Sequence, residues 1–315
     1  MLFRSPDGIE FYGRLSFLKA GIRYSSRLTT VSPTYAREIL TPEHGCGFDG
    51  MMRARAGDLV GILNGVDYRI WDPRHDMGLT ARFNDADLSG KKLCKLELQR
   101  QLGLSLAPDR PLVTFINRVT DQKMADVVLD LLPALRARNA QFALLGRGDR
   151  RLEEEFRKRA LAHSSDIAIN IGYEEPLARC MHAGADLTLV PSRFEPCGLT
   201  PLYAMRYGTL PIVRRVGGLT DTVFDDRKGA VGVNSATGFA FRDPTADDLM
   251  RCIDRALSTY GKPVEWRGMQ VRAMRQDFSW TRQAERYLTL YEELVPMSAR
   301  APRTAYASSS DLAVA

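Results

Sequence analysis

The chain is poor in histidine and cysteine and contains no long hydrophobic run. Five cysteines are an odd number, and none of them forms a Cys-x-x-Cys pair, which predicts reduced thiols in a cytoplasmic protein. The four histidines form no cluster with cysteine at metal-ligand spacing, so we expect no metal and no other cofactor. No apolar stretch approaches the roughly 20 residues of a membrane span, and residues 1–7 lack the apolar core of a secretion signal. We therefore expect no membrane partner.

The length and the charge of the chain bear on the number of domains and on the kind of ligand. A chain of 315 residues is long enough for about two domains at roughly 150 residues each. The formal net charge is +6, which would suit an anionic ligand, but lysine and arginine are spread along the whole chain. This even distribution favours a basic, soluble surface and does not indicate nucleic acid.

From residue 109 onward, short apolar runs alternate with segments of helical periodicity. The runs predict strands near 111–116, 141–145, 166–171, 186–190, 210–213 and 238–241. The segments between and after them predict helices near 124–138, 150–162, 174–183, 199–207, 219–224, 245–260, 263–275 and 281–294. Such alternation is typical of an α/β fold with a doubly wound parallel sheet.

The first part of the chain is less regular. It predicts a helix near 15–25, strands near 27–31 and 59–63, and a helix that begins at Ser32-Pro33. So few elements cannot close a doubly wound domain of their own, so we expect the end of a domain whose beginning is absent. Four apolar side chains would then lack partners: Phe17, Leu18, Ile22 and Val31.

These patterns divide the chain into five parts. Residues 1–66 form the end of a first domain, 67–108 a linker with one helix, and 109–280 the doubly wound domain. Residues 281–295 form a last helix, and the small, polar residues 296–315 a disordered tail.

Polar residues follow each predicted strand, and ligands of open parallel sheets bind beyond the carboxyl ends of the strands. Arg118 and Lys123 follow the first strand and are two cations able to hold a diphosphate, although a solvated surface fits equally well. Glu195 follows the fourth strand and could bond sugar hydroxyls or stabilise positive charge. An ion pair with Arg193 or a carboxylate at a helix N-terminus is the simpler interpretation. Cys197 is interpreted as a packed residue and not as a nucleophile.

Gly217 and Gly218 follow the fifth strand. Paired glycines allow the backbone to approach an anion closely, but a plain tight turn is the simpler interpretation of them.

Several strings closely resemble bacterial glycogen synthases and plant starch synthases, the retaining glucan synthases that use ADP-glucose. The strings are 30–39 (TVSPTYAREI), 63–67 (LNGVD), 192–200 (SRFEPCGLT), 207–215 (YGTLPIVRR), 217–223 (GGLTDTV) and 276–280 (QDFSW). The resemblance spans about residues 8–294. It implies the GT-B fold, in which two Rossmann-like domains face each other across a cleft and the second binds the sugar nucleotide. It also implies ADP-glucose and an α-1,4-glucan acceptor as partners.

The resemblance assigns roles to individual residues. It implies that Arg118 and Lys123 hold the donor diphosphate and that Glu195 acts at the transferred glucose. Around that glucose it places Cys197, Gly198, Leu199 and Thr200. It further places Tyr173 near the adenine, Tyr203 near the ribose or phosphate, and Gly217 and Gly218 in the donor site.

Departures from the family pattern keep alternatives open. Met124 stands where the family usually has glycine, Val216 where it has threonine, and Pro201 where it has a polar residue. The Lys-x-Gly-Gly-Leu loop that begins these enzymes is absent from the sequence. The leading interpretation is the donor-binding portion of a glycogen synthase, incomplete as it stands. The alternatives are a non-catalytic nucleotide- or glucan-binding remnant and a transferase for a different nucleotide sugar.

Overall fold

The computed structural model describes residues 8–225 and 235–295. The expected disordered tail, 296–315, lies outside the described residues. All five cysteines are free, as the prediction of reduced thiols requires.

Residues 8–66 form seven short α-helices and strands. They are β1 (Glu10–Phe11), β2 (Arg14–Leu15), α1 (Phe17–Tyr24), β3 (Leu28–Thr30), α2 (Pro33–Glu38), α3 (Asp49–Ala54) and β4 (Leu59–Gly61). β1 and β2 pair as an antiparallel hairpin, and β3 and β4 pair in parallel. The sequence therefore predicted only four of these seven elements, and β1, β2 and α3 were missed. The hairpin strands have two residues each and α3 has six, too few for a periodic pattern to show.

Two local predictions for this part need adjustment. Residue 15 belongs to β2, and α1 begins only after Ser16, whose side chain accepts the backbone N–H of Lys19 at 3.1 Å. Phe17 and Leu18 are exposed as expected, but Ile22 is only 2% exposed and Val31 is half-buried against the core of the sheet domain, so the prediction was wrong for these two. Ile22 lies on the inner face of amphipathic α1, which packs on α3.

The remaining elements alternate as predicted, with boundaries shifted by one or two residues. The strands are β5 (Leu112–Ile116), β6 (Gln141–Gly146), β7 (Ile167–Ile171), β8 (Leu187–Val190), β9 (Leu210–Arg214) and β10 (Phe239–Phe241). The helices are α4 (Ser89–Gln101), α5 (Ala125–Ala137), α6 (Arg150–Ala162), α7 (Glu175–Gly184), α8 (Leu199–Arg206), α9 (Gly217–Thr222), α10 (Ala246–Tyr260), α11 (Pro263–Met274) and α12 (Trp280–Leu294).

The six later strands form one parallel sheet in the order β10–β9–β8–β5–β6–β7. Every residue of β5, β6, β8 and β10 is buried, as expected for strands covered by helices on both faces. The chain leaves β5 toward β6 on one side and later returns to β8 on the other. This reversal between β5 and β8 is the topological switch point, where open α/β sheets bind their ligands.

Several contacts join residues 8–66 to the sheet domain. The carboxylate of Asp221 in α9 accepts the backbone N–H and the hydroxyl of Thr34 in α2, at 2.8 and 2.7 Å. Val66 and Ser279 form an isolated parallel bridge next to the start of α12. The two parts of the chain therefore meet close to the switch point.

Within residues 8–225 and 235–295, no helix combines the length and the apolar character that crossing a bilayer requires.

Candidate functional site

A cavity of about 350 Å³ lies at the switch point, between the ends of β5 and β8. That volume is within the range of small-molecule sites in proteins. Its lining residues are Val31, Asn64, Asn117, Lys123, Val190, Glu195, Pro196, Cys197, Gly198, Leu199 and Thr200. Six of the residues singled out in the sequence therefore share one wall: Lys123, Glu195, Cys197, Gly198, Leu199 and Thr200.

Lys123 and Glu195 form a buried ion pair in this cavity. Lys123 comes from a 3₁₀ turn after β5, and its Nζ donates to the Glu195 Oε2. Both residues are less than a tenth exposed. The same carboxylate oxygen accepts the hydroxyl of Ser192 at 2.8 Å. A charge-assisted contact in a buried setting is strong, so it fixes the position of both side chains.

The loops after β5 and β8 are joined by hydrogen bonds outside the cavity. The backbone N–H of Arg193 donates to the Gln122 carbonyl at 2.8 Å, and the Gln122 amide donates to the Phe194 carbonyl at 3.2 Å. The Arg193 guanidinium pairs with Asp126 at 3.0 Å. One simpler interpretation of Glu195, an ion pair with Arg193, was therefore wrong, because each of the two has another partner.

Cys197 is a buried thiol and not an activated nucleophile. Burial is the main cause that raises its pKa to about 11, and the charges of Glu195 and Asp221 add to the effect. A hydrogen bond from the backbone of Asn64 acts in the opposite direction. The thiol is therefore protonated near neutral pH, as expected for a packed residue.

Gly217 and Gly218 lie directly behind Glu195 and form the first turn of α9, which begins two residues earlier than predicted. Gly217 has φ +42°, and a Cβ there would lie 2.0 Å from the Glu195 carbonyl oxygen. The Gly217 N–H donates to Glu38 at 2.8 Å, and the Gly218 N–H donates to the Glu195 carbonyl at 3.1 Å. Both N–H groups are occupied by protein acceptors, so this turn supports the cavity wall from behind.

The other residues singled out lie outside the cavity lining. Arg118 is exposed, and its guanidinium donates to the Gln122 side chain at 2.8 Å. Tyr173 follows β7 and is 72% exposed. Tyr203 lies in α8 and stacks on Trp71, with ring centroids 3.9 Å apart.

The sequence did not indicate that three of the lining side chains belong to a ligand site. Asn117 is the first residue after β5, and Asn64 and Val31 come from the first part of the chain. The position of Asn117 directly after a buried strand was a usable signal. Asn64 and Val31 reach the cavity only because residues 8–66 pack against the sheet domain.

The structure shows the conformation and burial of two residues that depart from the family pattern. Met124 adopts a left-handed conformation with φ +54°, which favours glycine, and its side chain is fully buried. Val216 precedes α9 and is 7% exposed, so an apolar side chain packs into the core at that position.

Family models match two segments of the chain. The model described as "Glycosyl transferases group 1" matches residues 102–268, more than half of the chain, and "Starch synthase catalytic domain" matches residues 1–54. The chain therefore belongs to the group 1 glycosyl transferase family.

Curated relatives show which glycosyl transferases this chain resembles. Glycogen synthases of Leptothrix cholodnii and Burkholderia thailandensis are each 50% identical to this chain over 93% of its length. The aligned region covers 60% and 55% of those two proteins, so the chain spans well under two thirds of their length. The predicted resemblance to glycogen and starch synthases is confirmed.

Solved structures confirm the predicted α/β fold of GT-B type. The catalytic domain of starch synthase IV from Arabidopsis thaliana, bound to ADP and acarbose, superposes with a TM-score of 0.87 at 36% identity. It covers 92% of this chain, which in turn covers 60% of it. A sucrose-phosphate synthase from Thermosynechococcus elongatus superposes with a TM-score of 0.60 at 18% identity, a likeness of fold alone.

Proposed function

We propose that this chain binds ADP-glucose in the cavity at the switch point and carries the donor site of a glycogen synthase. The reaction would transfer glucose, with retention, to the non-reducing 4-hydroxyl of an α-1,4-glucan. The observation that supports this most is the convergence of Lys123 and Glu195, from two separate loops, on one cavity. The 50% identity to glycogen synthases over most of the chain supports the choice of substrates.

The charges of the cavity suit a sugar diphosphate. Lys123 is a buried cation, and Arg118 is an exposed cation on the same loop after β5. We assign both to the diphosphate, where they would stabilise the negative charge that develops as ADP departs. Thr200 and Leu199 begin α8, and their backbone N–H groups add partial positive charge to the same wall.

Glu195 has a different role in this proposal. Positive charge develops at the sugar ring as the bond to phosphate breaks, and a fixed carboxylate is well suited to stabilise it. The Ser192 hydroxyl and Lys123 hold the carboxylate in place before substrate arrives. The protonated Cys197 thiol would contact the transferred glucose as a neutral group.

The remaining assignments concern the nucleotide. We place Tyr173 at the adenine, where an exposed ring could stack on the base, and Tyr203 toward the ribose or phosphate. Gly217 and Gly218 support the donor site from behind the Glu195 loop. Residues 109–280 would then form the donor-binding domain, and residues 1–66 the acceptor-side part of the chain.

Radiolabelled glucosyl transfer to glycogen tests the proposal. ADP-glucose and UDP-glucose are compared as donors, and binding of each is measured separately by calorimetry. We expect tighter binding of ADP-glucose, and transfer that increases when the portion of a related synthase that this chain does not span is supplied. Binding without any transfer in that complemented assay would favour a non-catalytic nucleotide-binding protein. Preference for UDP-glucose would favour a transferase for another donor.

A further inference from the structure

The side chain of Asn117 carries a buried amide that nothing in the described residues satisfies. Its Nδ2 is buried and has no hydrogen-bond partner. Burying an amide donor without a partner destabilises the folded protein. Eight described residues carry such an atom, and among them Asn117 alone lines the cavity.

The main chain at Asn117 is held in one place by its own contacts. It therefore cannot shift to bring the side chain to a partner. Its N–H donates to the Leu145 carbonyl at 3.1 Å, which continues the pairing of β5 with β6. Its carbonyl lies against Gly146, where a Cβ would come within 1.8 Å of the oxygen. The loop after β5 is thus clamped against the end of β6. Asn117 stays in the cavity lining, and only rotation of its side chain can turn the buried amide N–H toward an occupant.

The charged side chains of the cavity have hydrogen-bond partners other than Asn117. Lys123 pairs with Glu195, and Glu195 also accepts the Ser192 hydroxyl, so these three side chains are satisfied by one another. The Asn117 amide is a neutral donor beside them, and an oxygen atom of an occupant is the partner that would complete it.

We propose that Asn117 is a ligand-binding residue of this cavity, whose amide N–H donates to an oxygen of the bound nucleotide sugar. The inference rests on the proposed function, because it takes ADP-glucose as the occupant. A phosphate oxygen and a sugar hydroxyl are both acceptors, and comparison of ADP with ADP-glucose distinguishes them. In the free protein the amide is a cost to stability, and in the complex it becomes a contact.

The experiment combines calorimetry and thermal melting of the same variants. Asn117→Leu keeps the approximate volume and removes the amide, and Asn117→Ala removes it without adding apolar bulk. Thr188→Val is the matched control, because the Thr188 hydroxyl is also buried and unsatisfied but lies within β8, away from the cavity lining. Each protein is titrated with ADP-glucose and with ADP and is melted without ligand.

We expect both Asn117 variants to bind ADP-glucose about three- to tenfold more weakly, as loss of one hydrogen bond predicts. Without ligand they should melt no lower than wild type, because they lose no internal hydrogen bond. An equal loss of ADP affinity would assign the contact to the diphosphate, and unchanged ADP affinity would assign it to the sugar. Thr188→Val should bind both ligands like wild type.

Two results would overturn the inference. Wild-type affinity in both Asn117 variants would remove Asn117 from the binding site. Lower melting temperatures of both variants without ligand would identify a structural role. A wild-type protein that binds neither ligand would instead refute the proposed function, and the inference with it.

Discussion

Lys123 and Glu195 form a charge pair that neither could form within its own loop. They lie 72 positions apart in sequence and meet only because β5 and β8 are neighbours in the sheet. A buried pair of this kind is costly to break, because the remaining charge is left without a partner. The diphosphate would therefore approach a lysine whose charge is already partly compensated.

This arrangement predicts opposite effects of Glu195→Gln on binding and on transfer. The glutamine can still accept from Ser192 and Lys123, but the negative charge beside the diphosphate is gone. We expect ADP to bind as tightly as in wild type or more tightly. Glucosyl transfer should fall about a hundredfold, the usual scale for loss of one electrostatic group. Calorimetry with ADP and the transfer assay measure the two effects.

Glu154→Gln is the matched control, since Glu154 is an exposed residue of α6 and its substitution changes the net charge equally. It should alter neither quantity. If Glu195→Gln lost most of its ADP affinity, Glu195 would serve mainly to orient Lys123.

The raised pKa of Cys197 predicts which thiols react. At pH 7.5 a thiol with a pKa of about 11 is roughly 0.03% thiolate, against about 10% for an ordinary cysteine. We expect iodoacetamide to modify the exposed Cys46 and to spare Cys197, as measured by mass spectrometry of tryptic peptides. Modification of Cys197 at a rate similar to that of Cys46 would contradict its burial and its raised pKa.

At the scale of single residues, the sequence predicts well which side chains lie at the site. It predicts less well which partners those side chains contact there. Lys123 and Glu195 were recognised because each follows a buried strand at the same edge of the sheet. Their mutual ion pair was not predicted, because it depends on the 3₁₀ turn after β5 and on the left-handed Met124 that ends it. The position of Asn117 after β5 can be read from the sequence, but its unsatisfied amide is visible only once its surroundings are known.

At the scale of helices and strands, α2 and α9 form the contact that joins residues 8–66 to the cavity wall. Asp221 accepts two hydrogen bonds from Thr34, and Glu38 accepts the N–H of Gly217. Gly217 in turn lies against the carbonyl of Glu195. A displacement of α2 would therefore be transmitted through α9 to the loop that contains Glu195.

Asp221→Asn is expected to loosen this contact. The amide has one acceptor oxygen where the carboxylate has two, and the charge that strengthens both bonds is lost. A loss of about 1 kcal/mol corresponds to roughly fivefold more frequent opening. Hydrogen exchange of the peptide that contains α2 should accelerate by that factor. Asp247→Asn, an exposed position in the first turn of α10, makes the same charge change and should leave the peptide unaffected. Equal exchange in both variants would show that α2 is held by other contacts.

The later strands and helices were predictable because each buried strand reads as an unbroken apolar run, as in β5 and β6. The helix starts were equally clear where a capping residue marks them: Asp149 accepts the Leu152 N–H before α6, and Thr245 accepts the Asp248 N–H before α10. β1, β2 and α3 carry no such signals, since they are held by pairing and packing and not by pattern.

At the scale of the whole molecule, the site is assembled from both parts of the chain. Val31 and Asn64 of the first part complete a cavity whose other lining residues belong to the sheet domain. The bond between Thr34 and Asp221 joins residues 187 positions apart, and no local pattern predicts a contact of that range. The sequence therefore indicated the sheet and its ligand edge, whereas the closure of the cavity required the three-dimensional structure.

The account as a whole requires that Lys123 hold the donor diphosphate, and calorimetry of ADP with wild type and Lys123→Ala tests this most directly. Lys92→Ala is the matched control, because Lys92 is an exposed lysine of α4 outside the cavity lining. We predict a ten- to hundredfold weaker ADP affinity for Lys123→Ala, since a charge-assisted contact is worth roughly 1.5–3 kcal/mol, and wild-type affinity for Lys92→Ala. An unchanged dissociation constant in a folded Lys123→Ala protein would contradict the assignment of this cavity as the donor site.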